Sequence, residues 1–217
     1  MTRRRLSRRR FVADVTKASA GFTIVPRHVL GRGYVAPSDK LNVACIGIGG
    51  QGATDVRGMS GENIYALCDV DWHQGEESFN AFPQAKRYRD YREMLAKEAA
   101  HIDAVTVTTP DHSHAAAAML AMKAGKHVRV QKPLTHLIGE ARILEEAARR
   151  TKVATQMGNQ GHAREGTRLI REWVEAGAIG TVKEVHFWTN RPIWPQAIER
   201  PLEEYHVPPW LDWDLWL

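Results

Sequence analysis

Residues 41–52, LNVACIGIGGQG, set the frame for this chain. A short apolar run breaks into Gly47, Gly49 and Gly52, and Asp69 closes the next apolar run 17 residues after Gly52. A buried strand that ends in G-x-G-x-x-G and opens a helix has three separate needs. The first glycine permits the tight turn, the second lets backbone approach a pyrophosphate, and the third lets the helix pack on the strand. The helix start then offers free N–H groups and a positive dipole end to phosphate. An acid after the second strand accepts hydrogen bonds from ribose hydroxyls. Gly47, Ile48, Gly49, Gly50, Gln51, Gly52 and Asp69 are therefore candidate dinucleotide-binding residues.

Beyond Gly52 the pattern alternates strand and helix. Strands are predicted at 64–69, 104–108, 128–130 and 153–157, with helices at 72–82, 91–98, 114–123 and 138–150. Gly125 stands where a helix C-cap belongs. Such alternation forces right-handed crossovers and a doubly wound parallel sheet covered on both faces, a Rossmann-type α/β fold. Cys45 and Cys68 fall in predicted buried strands, where a free Cys acts as a small hydrophobe, and a disulfide between them is not favoured.

Charge is unevenly placed. Residues 1–36 carry nine Lys/Arg against Asp14, a net +8, so the remaining residues sum to −3. The mildly acidic body gives no argument for nucleic acid, although the whole chain is +5. Ser7-Arg8-Arg9-Arg10-Phe11-Val12 fits the S-R-R-x-F-hydrophobic pattern of a twin-arginine export signal. That predicts a partner in the twin-arginine export machinery and a periplasmic or extracytoplasmic location; a disordered basic arm on a cytoplasmic protein is the alternative. Ala18-Ser19-Ala20 is a candidate cleavage site. No stretch reaches the ~18 apolar residues of a membrane span.

Three polar loops follow the later strands, at the sheet edge where open parallel sheets bind ligands. They are Thr108-Thr109-Pro110-Asp111-His112-Ser113-His114, Gln131-Lys132-Pro133-Leu134-Thr135-His136 and Gly158-Asn159-Gln160-Gly161-His162. Together they describe a cleft beside the glycine turn. The histidines suit hydrogen bonding to hydroxyls better than a metal site, and no metal is expected.

These residues resemble the Gfo/Idh/MocA oxidoreductases, named for glucose–fructose oxidoreductase and inositol dehydrogenase. The match runs through the glycine turn, TTPDHSH, GKHVRVQKPL and GNQGH, and covers roughly residues 40–217. The resemblance implies NAD as cofactor, with NADP less favoured because Asp69 opposes a 2′-phosphate; Arg57 stands near enough in sequence to soften that. It implies a carbohydrate or polyol substrate and a full-length homo-oligomer. By the same match Lys132 contacts substrate and nicotinamide and assists proton transfer. Pro110, Asp111 and His114 would line the nicotinamide side, with Thr109, Gln131 and Lys132 also binding cofactor, while Asn159 and His162 would face the substrate, so Lys132, Asn159 and His162 form the catalytic set. The family's usual Glu is Gln131 here. Without that adjacent carboxylate, Lys132 is expected to act more readily as a base.

Relatives that cleave glycosides by transient sugar oxidation carry E-V-P where this chain has K-P, which leaves glycoside hydrolase or lyase as the second reading. A non-catalytic nucleotide-binding fragment is the third. The domain plan expected is a signal segment at 1–36, an NAD(P)-binding domain at 37–160 and the start of a substrate and oligomerisation domain at 161–217. That last part should open on a helix at 165–176 and a strand of a mainly antiparallel open sheet at 181–189. Five of the seven Trp lie from Trp188 to Trp216, and Trp188, Trp194 and Trp210 are candidates for stacking on a sugar. Residues 210–217 (WLDWDLWL) end on large apolar side chains, and the family's members run on past this point, so a truncated protein is expected.

Overall fold

The computed structural model describes residues 39–191 and 195–217, so the expected export signal and Trp194 lie outside the described residues. The chain divides after Lys40, and the fold described here is that of Leu41–Leu217. Six strands form one sheet: β1 Asn42–Ile46, β2 Asn63–Cys68, β3 Lys86–Tyr88, β4 Ala104–Val107, β5 His127–Gln131 and β6 Thr155–Gly158. Their order is β3-β2-β1-β4-β5-β6, and every pairing is parallel. Order reverses between β1 and β4, which opens a crevice at the C-terminal ends of those strands.

Seven α-helices connect or follow the strands among the described residues: α1 Gln51–Gly58, α2 Glu76–Ala81, α3 Tyr91–Glu98, α4 His114–Lys123, α5 Ile138–Thr151, α6 Glu165–Glu175 and the single-turn α7 Trp213–Trp216. β1 is buried on both faces, as a central parallel strand must be. Ala44 and Ile46 pack into a cluster with Cys68, Val105, Val107 and the Ala117/Ala118/Ala121 face of α4. Val43 and Cys45 face the other cluster, with Val56 of α1 and Leu67. Cys45 and Cys68 thus belong to opposite faces of the sheet and are both free and buried. Gly125 ends α4 at φ +74°, with its N–H on Met122 and that of Lys126 on Ala121, the paired bonds of a Schellman cap.

Three expectations change. β3 was not anticipated, because a three-residue edge strand of Lys-Arg-Tyr carries little apolar signal. The helix expected over 72–82 spans only Glu76–Ala81: Asp71 accepts the N–H groups of His73 at 2.9 Å and Gln74 at 3.0 Å, a local turn that competes with helix. Residues 181–189 form no strand and are exposed, Phe187 at 92% and Trp188 at 86%. An alternating sequence without a partner strand has nothing to satisfy its backbone ladder or bury its apolar face. No described helix is long and apolar enough to cross a membrane.

Candidate functional site

The glycine turn is as tight as its sequence requires. Gly47 sits at φ +75° with its N–H on Cys68 O at 2.9 Å, and a Cβ there would lie 2.5 Å from Thr108 O. A Cβ on Gly52 would stand 2.1 Å from Gly47 O, so α1 can start at this point only on a bare backbone. Gly47, Gly49 and Gly50 line a cleft with Asp69, Thr109 and Pro110. The cradle that a Cβ would fill, placed at the start of α1, fits a dinucleotide pyrophosphate.

Asp69 serves the turn directly. Its Oδ2 accepts from Ile48 N at 2.8 Å and its Oδ1 from Asp71 N at 2.9 Å. Burial pushes its carboxyl above the ordinary value against the pull of those N–H groups, and the nearby Asp71 charge adds to the rise. A carboxylate offers about four acceptor sites, and the N–H groups of Ile48, Asp71 and Gly49 do not use them all, which leaves room for a ribose hydroxyl. Arg57 does not reach this end of the cleft as a counter-charge; it pairs with Glu77 on the exposed surface.

A second, shallower cleft is lined by Lys132, Gly158, Asn159, His162 and Arg164. The structure therefore brings the expected set Lys132, Asn159 and His162 to one place. His114 joins the two clefts from beneath. It is 1% exposed, with Nδ1 2.7 Å from Pro133 O and Nε2 2.8 Å from Thr109 O. Expected at the nicotinamide, this ring instead holds the Thr109–Pro110 loop against the Lys132–Pro133 loop and does not line the cleft. Asp111 heads a short 3₁₀ turn, Asp111–Ser113, beside Pro110.

Gln131 is also turned inward. Its Oε1 accepts the Lys132 N–H at 2.8 Å, and its Nε2 donates to Asp55 Oδ2 at 3.1 Å. Asp55 receives the Thr108 hydroxyl at 2.8 Å as well, and Arg129 Nη1 lies 2.9 Å from it. Burial pushes the Asp55 carboxyl up, but the hydrogen bonds from Arg129, Thr108 and Gln51, with the Arg129 charge, hold it below the ordinary value. This network was not anticipated. The signal was an acid on the α1 face that also carries Gly52 and Val56, both buried. Trp210, a candidate for sugar stacking, packs on His73 at 5.5 Å and does not line the Lys132 cleft.

The sheet order, the glycine cradle and the acid after β2 define a dinucleotide-binding Rossmann domain. Residues 41–159 match the Gfo/Idh/MocA oxidoreductase family, NAD-binding Rossmann fold, and the chain belongs to that family. A glycosyl hydrolase family 109 protein of Shewanella sp. (strain W3-18-1) is 28% identical over 77% of this chain and 40% of its own length. An inositol 2-dehydrogenase of Burkholderia multivorans is 32% identical over 67% of this chain and 44% of its own. The crystal structure of myo-inositol 2-dehydrogenase from Lactobacillus plantarum superposes with a TM-score of 0.61 at 26% identity, covering 66% of this chain and 43% of that one. The chain thus spans less than half the length of these relatives.

Proposed function

We propose that this chain is the cofactor-binding part of an NAD-dependent oxidoreductase acting on a secondary hydroxyl of a polyol or sugar. The observation that carries the reading is His114, whose buried ring stands between Pro133 O and Thr109 O and so keeps the Lys132 loop beside the Thr109–Pro110 wall of the dinucleotide cleft. Bound nicotinamide supplies the hydride acceptor. Lys132 would take the proton of the substrate hydroxyl, and Asn159 and His162 would hold the neighbouring hydroxyls. The inositol dehydrogenase relatives support a cyclic polyol as substrate. Asp69 supports NAD over NADP, since its charge opposes a 2′-phosphate. The Ser7–Val12 pattern supports export by the twin-arginine route.

The family 109 relative favours a second reading, glycoside cleavage through transient oxidation of the sugar ring. The two differ in cofactor balance. The test is mass spectrometry of NAD released from natively purified protein, then polyol-dependent reduction of added NAD. Net NADH formation that falls at least ~100-fold in Lys132→Met, with NAD affinity unchanged, is the expected result for a lost acid–base group. Substrate consumption without net NADH would favour the cleavage reading, and no NAD binding at all would overturn both.

A further inference from the structure

The residues from Trp210 to Leu217 cross the mouth of the dinucleotide cleft. At one side, Trp210 O accepts from Trp72 N and from Arg89 Nη1, both at 3.2 Å. Asp212 N donates to Val70 O at 3.0 Å, and Leu211 forms an isolated antiparallel bridge with Asp71. Val70, Asp71 and Trp72 belong to the loop that immediately follows Asp69, and Arg89 to the loop after β3. α7 then carries the chain to the opposite side, the loop after β4, where His112 Nε2 lies 2.7 Å from Trp216 O. The two rings are 5.0 Å apart, and Trp213 stacks on Trp216 at 5.0 Å with 6° between planes.

The segment bridges the loops after β2 and β4, which flank the glycine turn that follows β1. Between it and the glycine turn a cavity of about 290 Å³ remains, walled by Leu215 and Trp216 opposite Gly47, Gly49 and Asp69. That is the small end of the ~300–1,000 Å³ typical of small-molecule sites. Among the described residues, the segment's hydrogen bonds to the rest of the chain go to Val70, Trp72, Arg89, His112 and the adjacent Pro208, and none to the glycine turn. The segment therefore takes none of the glycine turn's N–H groups for itself. A segment that merely filled the groove would close this space.

We propose that Trp210–Leu217 is a strap over the dinucleotide cleft, with Leu215 and Trp216 forming the outer wall of the cofactor pocket and setting how slowly cofactor leaves. The inference rests on the NAD reading above. Opening requires release of the His112–Trp216 contact at one end, while the Val70–Trp72 pairing holds the other as a hinge.

The experiment is NADH binding by the 217-residue chain, followed by energy transfer from Trp to bound NADH and by displacement with excess NAD in a stopped-flow instrument. Variants are Trp216→Ala, a chain lacking Trp210–Leu217, and His112→Ala, which frees one anchor while keeping every Trp; thermal unfolding checks that each folds. Because related sites differ mainly in dissociation rate, the NADH off-rate should rise at least ~10-fold in all three variants. Energy transfer should also drop in Trp216→Ala. Off-rates within about twofold of the parent would overturn the strap, and tighter binding on removal of Trp210–Leu217 would mark the segment as a plug. NADH binding by none of the four proteins would overturn the strap and the cofactor reading together.

Discussion

Gln131 Nε2 donates to Asp55 Oδ2 at 3.1 Å, across the gap between the Lys132 loop and α1. The contact explains the residue type. A Glu at 131 would place two carboxylates together in a buried site, whereas the amide gives Asp55 a donor and gives Lys132 N–H an acceptor. In addition to any effect on the Lys132 amine, Gln131 ties the Lys132 loop to the helix of the glycine turn.

Gln131→Glu should therefore destabilise the fold at neutral pH by roughly 1–3 kcal/mol, the penalty for a buried polar group deprived of its partner. A carboxyl forced beside Asp55 has its folded pKa raised, so the loss is fullest above that value and shrinks as pH falls through it. Urea unfolding at neutral and mildly acidic pH would show this. A variant equally stable at both would mean that the Asp55 contact carries no energy.

Removing the other partner should do more harm. Asp55→Ala leaves the Arg129 guanidinium, 17% exposed, without its counter-charge. The expected loss is about 3 kcal/mol, the low end for a broken buried ion pair because Arg129 keeps some water. Replacing both residues, Asp55→Ala with Arg129→Met, should recover much of it, and a double-mutant cycle by urea unfolding measures the coupling. Additive single effects would contradict the network.

How much of this was legible follows from which residues carry a local signal. Gly47, Gly52 and Asp69 announce their roles by spacing, since strand, turn and acid are neighbours in the chain. The grouping of Lys132, Asn159 and His162 was legible because parallel strands deliver their following loops to one edge. Asp55 and Arg129 are 74 residues apart, and their pairing depends on a long-range contact between a side chain of α1 and one of β5. The Trp210–Leu217 crossing was hidden for the same reason: its anchors, Val70, Arg89 and His112, come from three separate loops. Residues 181–189 show the opposite failure, an alternating pattern with no partner strand.

Glu98 offers a test of acid stability remote from the site. Lys86 at 2.7 Å, Tyr88 at 2.7 Å and Tyr65 at 2.8 Å all donate to its carboxylate. These contacts hold its pKa near about 2, against an ordinary 4.5. A depressed carboxyl stabilises the fold above its unfolded pKa and loses that contribution as pH falls through the folded one. Glu98→Gln should thus be less stable than the parent at neutral pH, with the difference fading from pH 4.5 towards about 2. A stability gap independent of pH would show that the loss is one of packing alone.

The glycine turn gives a sharper structural test. In Gly52→Ala the new methyl meets Gly47 O at 2.1 Å, and neither backbone can yield without moving α1 off β1. Overpacking of this kind costs about 1–3 kcal/mol. NADH affinity should fall at least ~10-fold, which is 1.4 kcal/mol. Gly58→Ala, where a Cβ meets nothing within 4 Å, is the control and should leave both stability and binding near the parent. Equal effects of the two variants on NADH affinity, read by fluorescence titration, would remove the turn from the cofactor site.

Asp69 combines two functions that one substitution can separate. Asp69→Asn keeps an oxygen to accept the Ile48 N–H at the cost of the Asp71 N–H acceptor, while removing the charge that opposes a 2′-phosphate. Affinity for NAD should weaken as a ribose acceptor is lost, and affinity for NADP should improve relative to it. The NAD/NADP ratio of dissociation constants is expected to shift by about tenfold toward NADP, or 1.4 kcal/mol. Asp69→Ala, by contrast, also frees Ile48 N–H and should lower the melting temperature together with both affinities. A ratio unchanged in Asp69→Asn would show that Asp69 only braces the glycine turn and that discrimination between the two cofactors resides in other residues of the cleft.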